Sequence, residues 1–409
     1  STGRSLPRLG GSPPVSAPVA ANLPWARNWL FSMDERSAAT ASNRKKGDFA
    51  MAVAVTSPPT LAYRTAVRGK ILILFSCFAL LVILMLLAIV VGSYSLSIRD
   101  VLLTLMGQGE GAMRAVIWEI RLPRIASAVI AGSGLALTGT VFQCLLKNPL
   151  ASASTLGISH GAAFGAAFAI VILGAGGFQS SALRTAASGQ WALHGVYSIT
   201  LLAFAGALAA TLSILAIARL REMSAEAVIL AGVALSALFT SGTILLQYFA
   251  ADVEIAAVVF WTFGDVARAT WRDIGLMGIA TSIALSYFIM RQWDLNALTA
   301  GEEVARGLGV NVDRFRRRGM FWAAFVAALI TCFQGVIAFI GLLAPHIARK
   351  LVGSDHRLLT PLSCLVGALL LLGSDTLGRI FVGSGSLPVG VITSFMGAPL
   401  FLFLLLRGT

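Results

Sequence analysis

Charge is scarce in this chain. Only 12% of its 409 residues are charged, while 57% are hydrophobic. A soluble domain of that length needs far more charge to cover its surface. Acidic residues are the rarer sign, 18 against 31 Lys and Arg, and few fall inside the apolar stretches. That argues against a carrier that keeps carboxylates at mid-membrane as proton or sodium sites. Asp375 is the best candidate of that kind, and it stands four residues before Arg379, the spacing of an intrahelical ion pair. Cys77, Cys144, Cys332 and Cys364 sit singly within apolar stretches and read as small buried hydrophobes. The four histidines show no paired spacing, so no metal site is expected. A Gly-x-x-x-x-Gly-Lys-Ser/Thr phosphate loop is missing, which excludes the usual kind of ATPase. A Gly-x-Ser-x-Gly elbow is missing too.

What is present is apolar length. Residues 71–92 carry no charge over 22 positions, and about 20 suffice to cross the hydrocarbon core. Similar runs cover 125–146, 155–176, 196–218, 227–250, 274–290, 320–343, 358–376 and 387–406, with a shorter helix expected near 344–352. Backbone in lipid must satisfy its own hydrogen bonds, so these are helices. The alternation of a membrane barrel is absent. The net charge of +13 sets orientation before it suggests nucleic acid. With ten helices and a cytoplasmic N-terminus, the cytoplasmic side carries about twice as many Lys and Arg as the outer side. The outer side still keeps Arg121, Arg124, Arg268 and Arg379 among others, more than orientation alone would leave there.

Residues 1–65 are rich in Ser, Ala, Pro and Gly and sustain no apolar period, so a disordered extension is expected. It lacks the apolar core of a signal peptide. Met33 or Met51 is the expected natural start. The transmembrane part is expected to be 66–409. The segment after the first span, 93–119, reads as a polar outer stretch holding a short amphipathic helix near Ser97. Gly157, Gly161 and Gly165 recur every four residues, a face that lets helices approach closely in lipid. Asn148-Pro149-Leu150 and Ala344-Pro345-His346 are expected breaks, because Pro cannot continue a helix and restricts the residue before it.

One polar segment stands out: Gly301-Glu302-Glu303-Val304-Ala305-Arg306-Gly307-Leu308-Gly309. Glu302 and Glu303 fall near a helix start, where they complement its dipole. Val304 and Leu308 are four apart and form a small apolar face. From spacing alone this is either a solvated loop or a short helix that seats in another protein's groove.

Several separated motifs together resemble the FecCD-type permease family of ABC importers for iron chelates, haem and vitamin B12. They are Arg121-Leu122-Pro123-Arg124; Gly139 with Gln143; Asn148-Pro149-Leu150-Ala151; Leu156-Gly157-Ile158-Ser159; Trp261-Thr262-Phe263-Gly264; the 301–309 segment; Phe339-Ile340-Gly341-Leu342 with Pro345-His346; Asp375 with Arg379; Leu387-Pro388-Val389-Gly390; and Gly397-Ala398-Pro399. The resemblance covers about residues 70–409. It implies an all-α integral membrane protein of about ten transmembrane helices, with type II importer architecture, in a bacterial inner membrane with both termini cytoplasmic. It implies a homodimer, two ATPase subunits carrying ATP and magnesium, and a periplasmic binding protein, with no cofactor on this chain. Residues 301–309 would be the coupling helix on the ATPase. Arg121 and Arg124, with Arg379 as a third, would dock the binding protein. His160 stands where the family often has a small polar residue, and packing is its expected role. The function implied is import of a ferric siderophore or related chelate by alternating access. Haem, vitamin B12 or an oxyanion is the alternative cargo, and an ion-coupled secondary carrier is the rival of another class.

Overall fold

The computed structural model describes residues 59–91, 97–107, 111–175, 195–220, 225–382 and 387–406. Most of the expected N-terminal extension, 1–58 of 1–65, lies outside the described residues. Residues Lys70–Thr409 form one compact unit. All regular structure among the described residues is helical. Helix α1 is Pro59–Val90 and α2 is Ile98–Leu105. Helix α3, Gly111–Ala115, runs through a π-helical stretch, Val116–Arg121, into α4, Leu122–Leu145. There follow α5 (Ile158–Val171), α6 (Gly195–Leu220), α7 (Ala225–Tyr248), α8 (Asp252–Thr262), α9 (Trp271–Met290) and α10 (Gln292–Ala300). The last are α11 (Glu302–Gly307), α12 (Val312–Gln334), α13 (Ile340–Val352), α14 (His356–Val382) and α15 (Val389–Leu406).

Among the described residues, six segments are long and apolar enough to cross a membrane: Ala66–Val90, Gly111–Leu145, Tyr197–Arg219, Ala225–Tyr248, Trp271–Met290 and His356–Phe381. Shorter apolar helices occupy Ile158–Val171 and Val389–Phe403. The ten-helix figure is therefore approximate. Helix α12 is long enough, but it opens on Arg314, Arg316, Arg317 and Arg318. Large apolar side chains face outward, such as Leu72 and Phe75, both more than 60% exposed, while Ala88, Ala128, Ala131 and Ala136 are buried. That inversion of a soluble fold suits lipid, where small residues let helices pack and apolar ones meet the acyl chains.

Helix α4 is the central rod, packed against α9, α12, α13 and α14. Glycines set its approach. A methyl at Gly132 would stand 2.4 Å from the Gly367 carbonyl oxygen, and one at Gly139 would stand 1.8 Å from that of Gly341. Helices α5 and α6 meet in the same way, a methyl on Gly165 falling 2.0 Å from the Leu202 oxygen and one on Gly161 falling 2.5 Å from the Gly206 oxygen.

The structure differs from the sequence expectations in three places. The second span does not begin after Pro123: helix is continuous from Gly111 to Leu145. Pro123 lacks the N–H that an α-turn would aim at Glu119, and the π-helical stretch just upstream takes up the mismatch. Gly157 is not on the face of α5 but precedes it, in the left-handed region at φ 77°. The run 320–343 is not one span, and the break lies at 335–339 rather than at Ala344-Pro345-His346. Gly335 and Phe339 hold φ of 80° and 67° there, while Pro345 lies inside α13. Pro345 cannot donate to the Gly341 carbonyl. The Gln143 amide of α4 sits 3.4 Å from the carbonyls of Gly341 and Leu342 and serves that turn instead. Thus Gly139 gives α13 room to approach, and Gln143, one turn on, satisfies its broken ladder.

Candidate functional site

The 301–309 segment is built on the foot of α4. That helix ends at Leu145 with Lys147 in the left-handed region, φ 47°. The Asn148 N–H returns to the Gln143 carbonyl at 3.2 Å and the Lys147 N–H to that of Cys144 at 3.3 Å, the paired bonds of a Schellman end. Asn148 Oδ1 then accepts from the Leu150 N–H at 2.8 Å, turning the chain through Pro149.

Arg316 of α12, 2% exposed, reaches into this corner. Its Nε donates to the Leu145 carbonyl at 3.0 Å, and its Nη2 donates to Glu302 Oε1. Lys147 Nζ lies 3.7 Å from the same carboxylate oxygen. Burial works against the charged form of Glu302. The hydrogen bond and charge of Arg316, with Lys147 and Arg306, outweigh it and hold the carboxyl below its ordinary value. Glu302 is therefore the anchor of α11. Ala305 packs fully inward, Gly301 and Gly309 take φ of 137° and 84°, and Arg306 stands 4.0 Å from Asp313. What faces out is Glu303, Val304 and Leu308, the last 71% exposed.

The other end of α4 meets the arginines expected on the outer side. At about 1.5 Å per residue its 24 residues span roughly 36 Å. Arg124 Nε and Nη2 both lie 2.8 Å from Asp375 Oδ1 of α14. Asp375 is wholly buried, and Arg379 Nε approaches its other oxygen at 3.3 Å, out of line for a hydrogen bond. Arg379 Nη1 donates to the carbonyls of Ala88 and Val91, each at 3.0 Å. Arg121 Nη1 donates to those of Ile89 and, at 3.0 Å, Val90. Two guanidinium groups thus cap the orphan carbonyls that close α1, where the helix dipole favours cations. The i,i+4 pair of Asp375 with Arg379 was legible in the sequence. Its stronger partner, Arg124, lies 251 residues away and was not.

Between the ends, three unwound stretches converge. Asp265 N–H donates to the Gln334 carbonyl at 2.7 Å, and Gly390 N–H to that of Gly264 at 3.2 Å. A methyl at Gly264 would stand 2.3 Å from the Val336 oxygen, and one at Gly390 would stand 2.1 Å from the Phe263 oxygen. Gly397 leaves the space that the Phe339 ring occupies. The motifs that contain Gly264, Gly390 and Gly397 therefore meet the break at 335–339. Irregular backbone at this depth is tolerated where it lies within protein or lines a cavity. His160 Nδ1 is buried without a hydrogen-bond partner.

A family model described as the FecCD transport family matches residues 80–407. A provisionally named ABC transporter permease protein of Methanocaldococcus jannaschii is 50% identical over 320 residues, 78% of this chain and 90% of that protein. The hemin transport system permease protein of Yersinia pestis is 37% identical over 332 residues, 80% of this chain and 93% of the other. Among solved structures, an inward-facing transporter provisionally assigned to the metal-chelate ABC type superposes with a TM-score of 0.69 at 29% identity, covering 83% of this chain and all of that one. The match runs from the end of α1 through α15 and takes in both ends of α4, so the chain belongs to the FecCD transport family of membrane permeases.

Proposed function

We propose that this chain is the transmembrane subunit of an ATP-driven ABC importer, carrying a ferric siderophore or related iron chelate from a periplasmic binding protein to the cytoplasm. It works as a homodimer in the cytoplasmic membrane, with its termini inside and two ATPase subunits on its inner face. The observation that carries the reading is α4. One rigid helix is tied at its foot to the 301–309 segment through Arg316, and at its other end to the Arg124–Asp375 pair. Residues 301–309 form the coupling element: Glu302 anchors it, and Glu303, Val304 and Leu308 face the ATPase. Arg124 and Arg379 flank the Asp375 carboxylate, Arg121 acts electrostatically on Arg379, and the three leave net positive charge at the outer end, which steers an acidic face of the binding protein. The 335–339 break and its glycine neighbours are the hinge of alternating access, and ATP with magnesium acts on the partner subunit.

A carrier driven by an ion gradient fits less well, because the buried Asp375 carboxylate is already neutralised by two arginines. Haem is the second cargo reading, favoured by the haemin-permease relative. The cargo is tested by reconstituting the chain with its ATPase and binding protein and comparing ferric hydroxamate, haemin, vitamin B12 and an oxyanion. Saturable uptake of the ferric chelate alone is expected. Uptake of haemin, vitamin B12 or the oxyanion in its place would overturn the cargo and leave the machinery standing.

A further inference from the structure

A cleft of about 270 Å³ opens between the foot of α9 and the start of α12, beside the 301–309 segment. Its polar lining is Tyr287, Arg291, Asp294, Asn311, Arg314 and Arg318, with Asn311 Oδ1 already accepting from the Arg314 N–H. Arg291 is held by Asp294 at 2.9 Å. Arg314 and Arg318 are exposed and carry no ion pair among the described residues. The Tyr287 hydroxyl is buried and has no hydrogen-bond partner. Three guanidinium groups against one carboxylate leave the cleft with two net positive charges and a spare donor.

An aromatic cluster adjoins the cleft through Tyr287. Arg314, Arg318, Trp322 and Phe325 lie at i, i+4, i+8 and i+11 on α12, within one narrow stripe of the helix. The Tyr287 ring lies 6.4 Å from Trp322, and Trp322 lies 6.2 Å from Phe325. Reading inward from the helix start, the stripe runs charge, charge, aromatic, aromatic. That order matches a phospholipid standing in a leaflet, with its phosphate at the surface and its glycerol and acyl chains below. A phosphate in solution would use the arginines and leave the aromatic half without purpose.

We propose that this cleft binds the head-group of an anionic phospholipid. Arg314 and Arg318 hold the phosphate ester, the Tyr287 hydroxyl donates to it, and the acyl chains lie along Trp322 and Phe325. Leu308, Gly309 and Val310 line the same cleft, so a bound lipid braces the C-terminal end of the 301–309 segment against α9. That consequence rests on the coupling role proposed above; the site does not.

The test is native mass spectrometry of the delipidated full chain titrated with phosphatidylglycerol, phosphatidylcholine or inorganic phosphate. Wild type is expected to prefer phosphatidylglycerol. Arg314→Gln with Arg318→Gln is expected to weaken that binding about thirtyfold, at roughly one surface charge's attraction each. Arg317→Gln, adjacent but not lining the cleft, is expected to leave it unchanged. Tyr287→Phe keeps the ring and is expected to weaken it about fivefold, and melting in neutral lipid checks that each variant is folded. Undiminished binding by both the arginine pair variant and Tyr287→Phe would overturn the site. Inorganic phosphate bound as tightly as the lipid would reassign it to a solute. Displacement of the lipid by the cognate ATPase subunit would reassign it to that protein.

Discussion

Glu302 accepts from the buried Arg316, while Glu303, next in the chain, faces outward. The two neighbours therefore separate stability from partner contact. Arg316→Ala removes the donor to Leu145 and the partner of Glu302, and breaking a buried pair from one side is costly. A loss of about 3 kcal/mol is expected, read as a lower melting temperature in detergent. Glu303→Lys or Leu308→Asp should leave melting unchanged and reduce ATPase binding. A fall in melting with binding intact would reverse those roles. The Glu302 carboxyl titrates lower in the folded state than in the unfolded chain, whose ordinary value is 4.5. The pair's contribution is complete above that value and is lost as pH falls through the lowered folded one. Wild type should therefore lose more melting temperature than Glu302→Gln between neutral pH and about pH 3.5. Equal losses would remove the charge of Glu302 as the cause.

At the scale of elements, close backbone approach is what glycine permits. A methyl at Gly165 falls 2.0 Å from a carbonyl oxygen of α6, so Gly165→Ala must push α5 and α6 apart. A cost of about 2 kcal/mol is expected, as for other overpacked sites, while Gly275→Ala, facing open space, should differ little beyond helix propensity. The first of these contacts was legible in the four-residue spacing, because a helical period reports a shared face. The break at 335–339 was not. Its residues are apolar throughout, and a left-handed Phe339 gives no compositional sign. Pro345 pointed to a break six residues past the end of the real one, since Gln143 lets α13 carry it. The signal that existed was Gln143 itself, a polar amide in an apolar helix one turn after Gly139.

The whole molecule turns on α4, which joins the anchored 301–309 segment to the Arg124–Asp375 pair roughly 32 Å along the helix. Apolar length revealed the spans, but an all-apolar helix has no preferred rotation in sequence, so the contact between residues 124 and 375 stayed hidden. Asp375→Asn leaves Arg124 buried against a neutral amide, and reduced stability is expected with ATP dependence of uptake intact. A switch from ATP dependence to ion-gradient dependence in that variant would give Asp375 a different role. The most direct measurement is cargo uptake into sealed proteoliposomes holding this chain with or without its ATPase subunit. Uptake is expected only with the ATPase and internal-face ATP, and Leu308→Asp should abolish it. Uptake driven by a proton or sodium gradient with no ATPase present would contradict a conduit worked from outside itself.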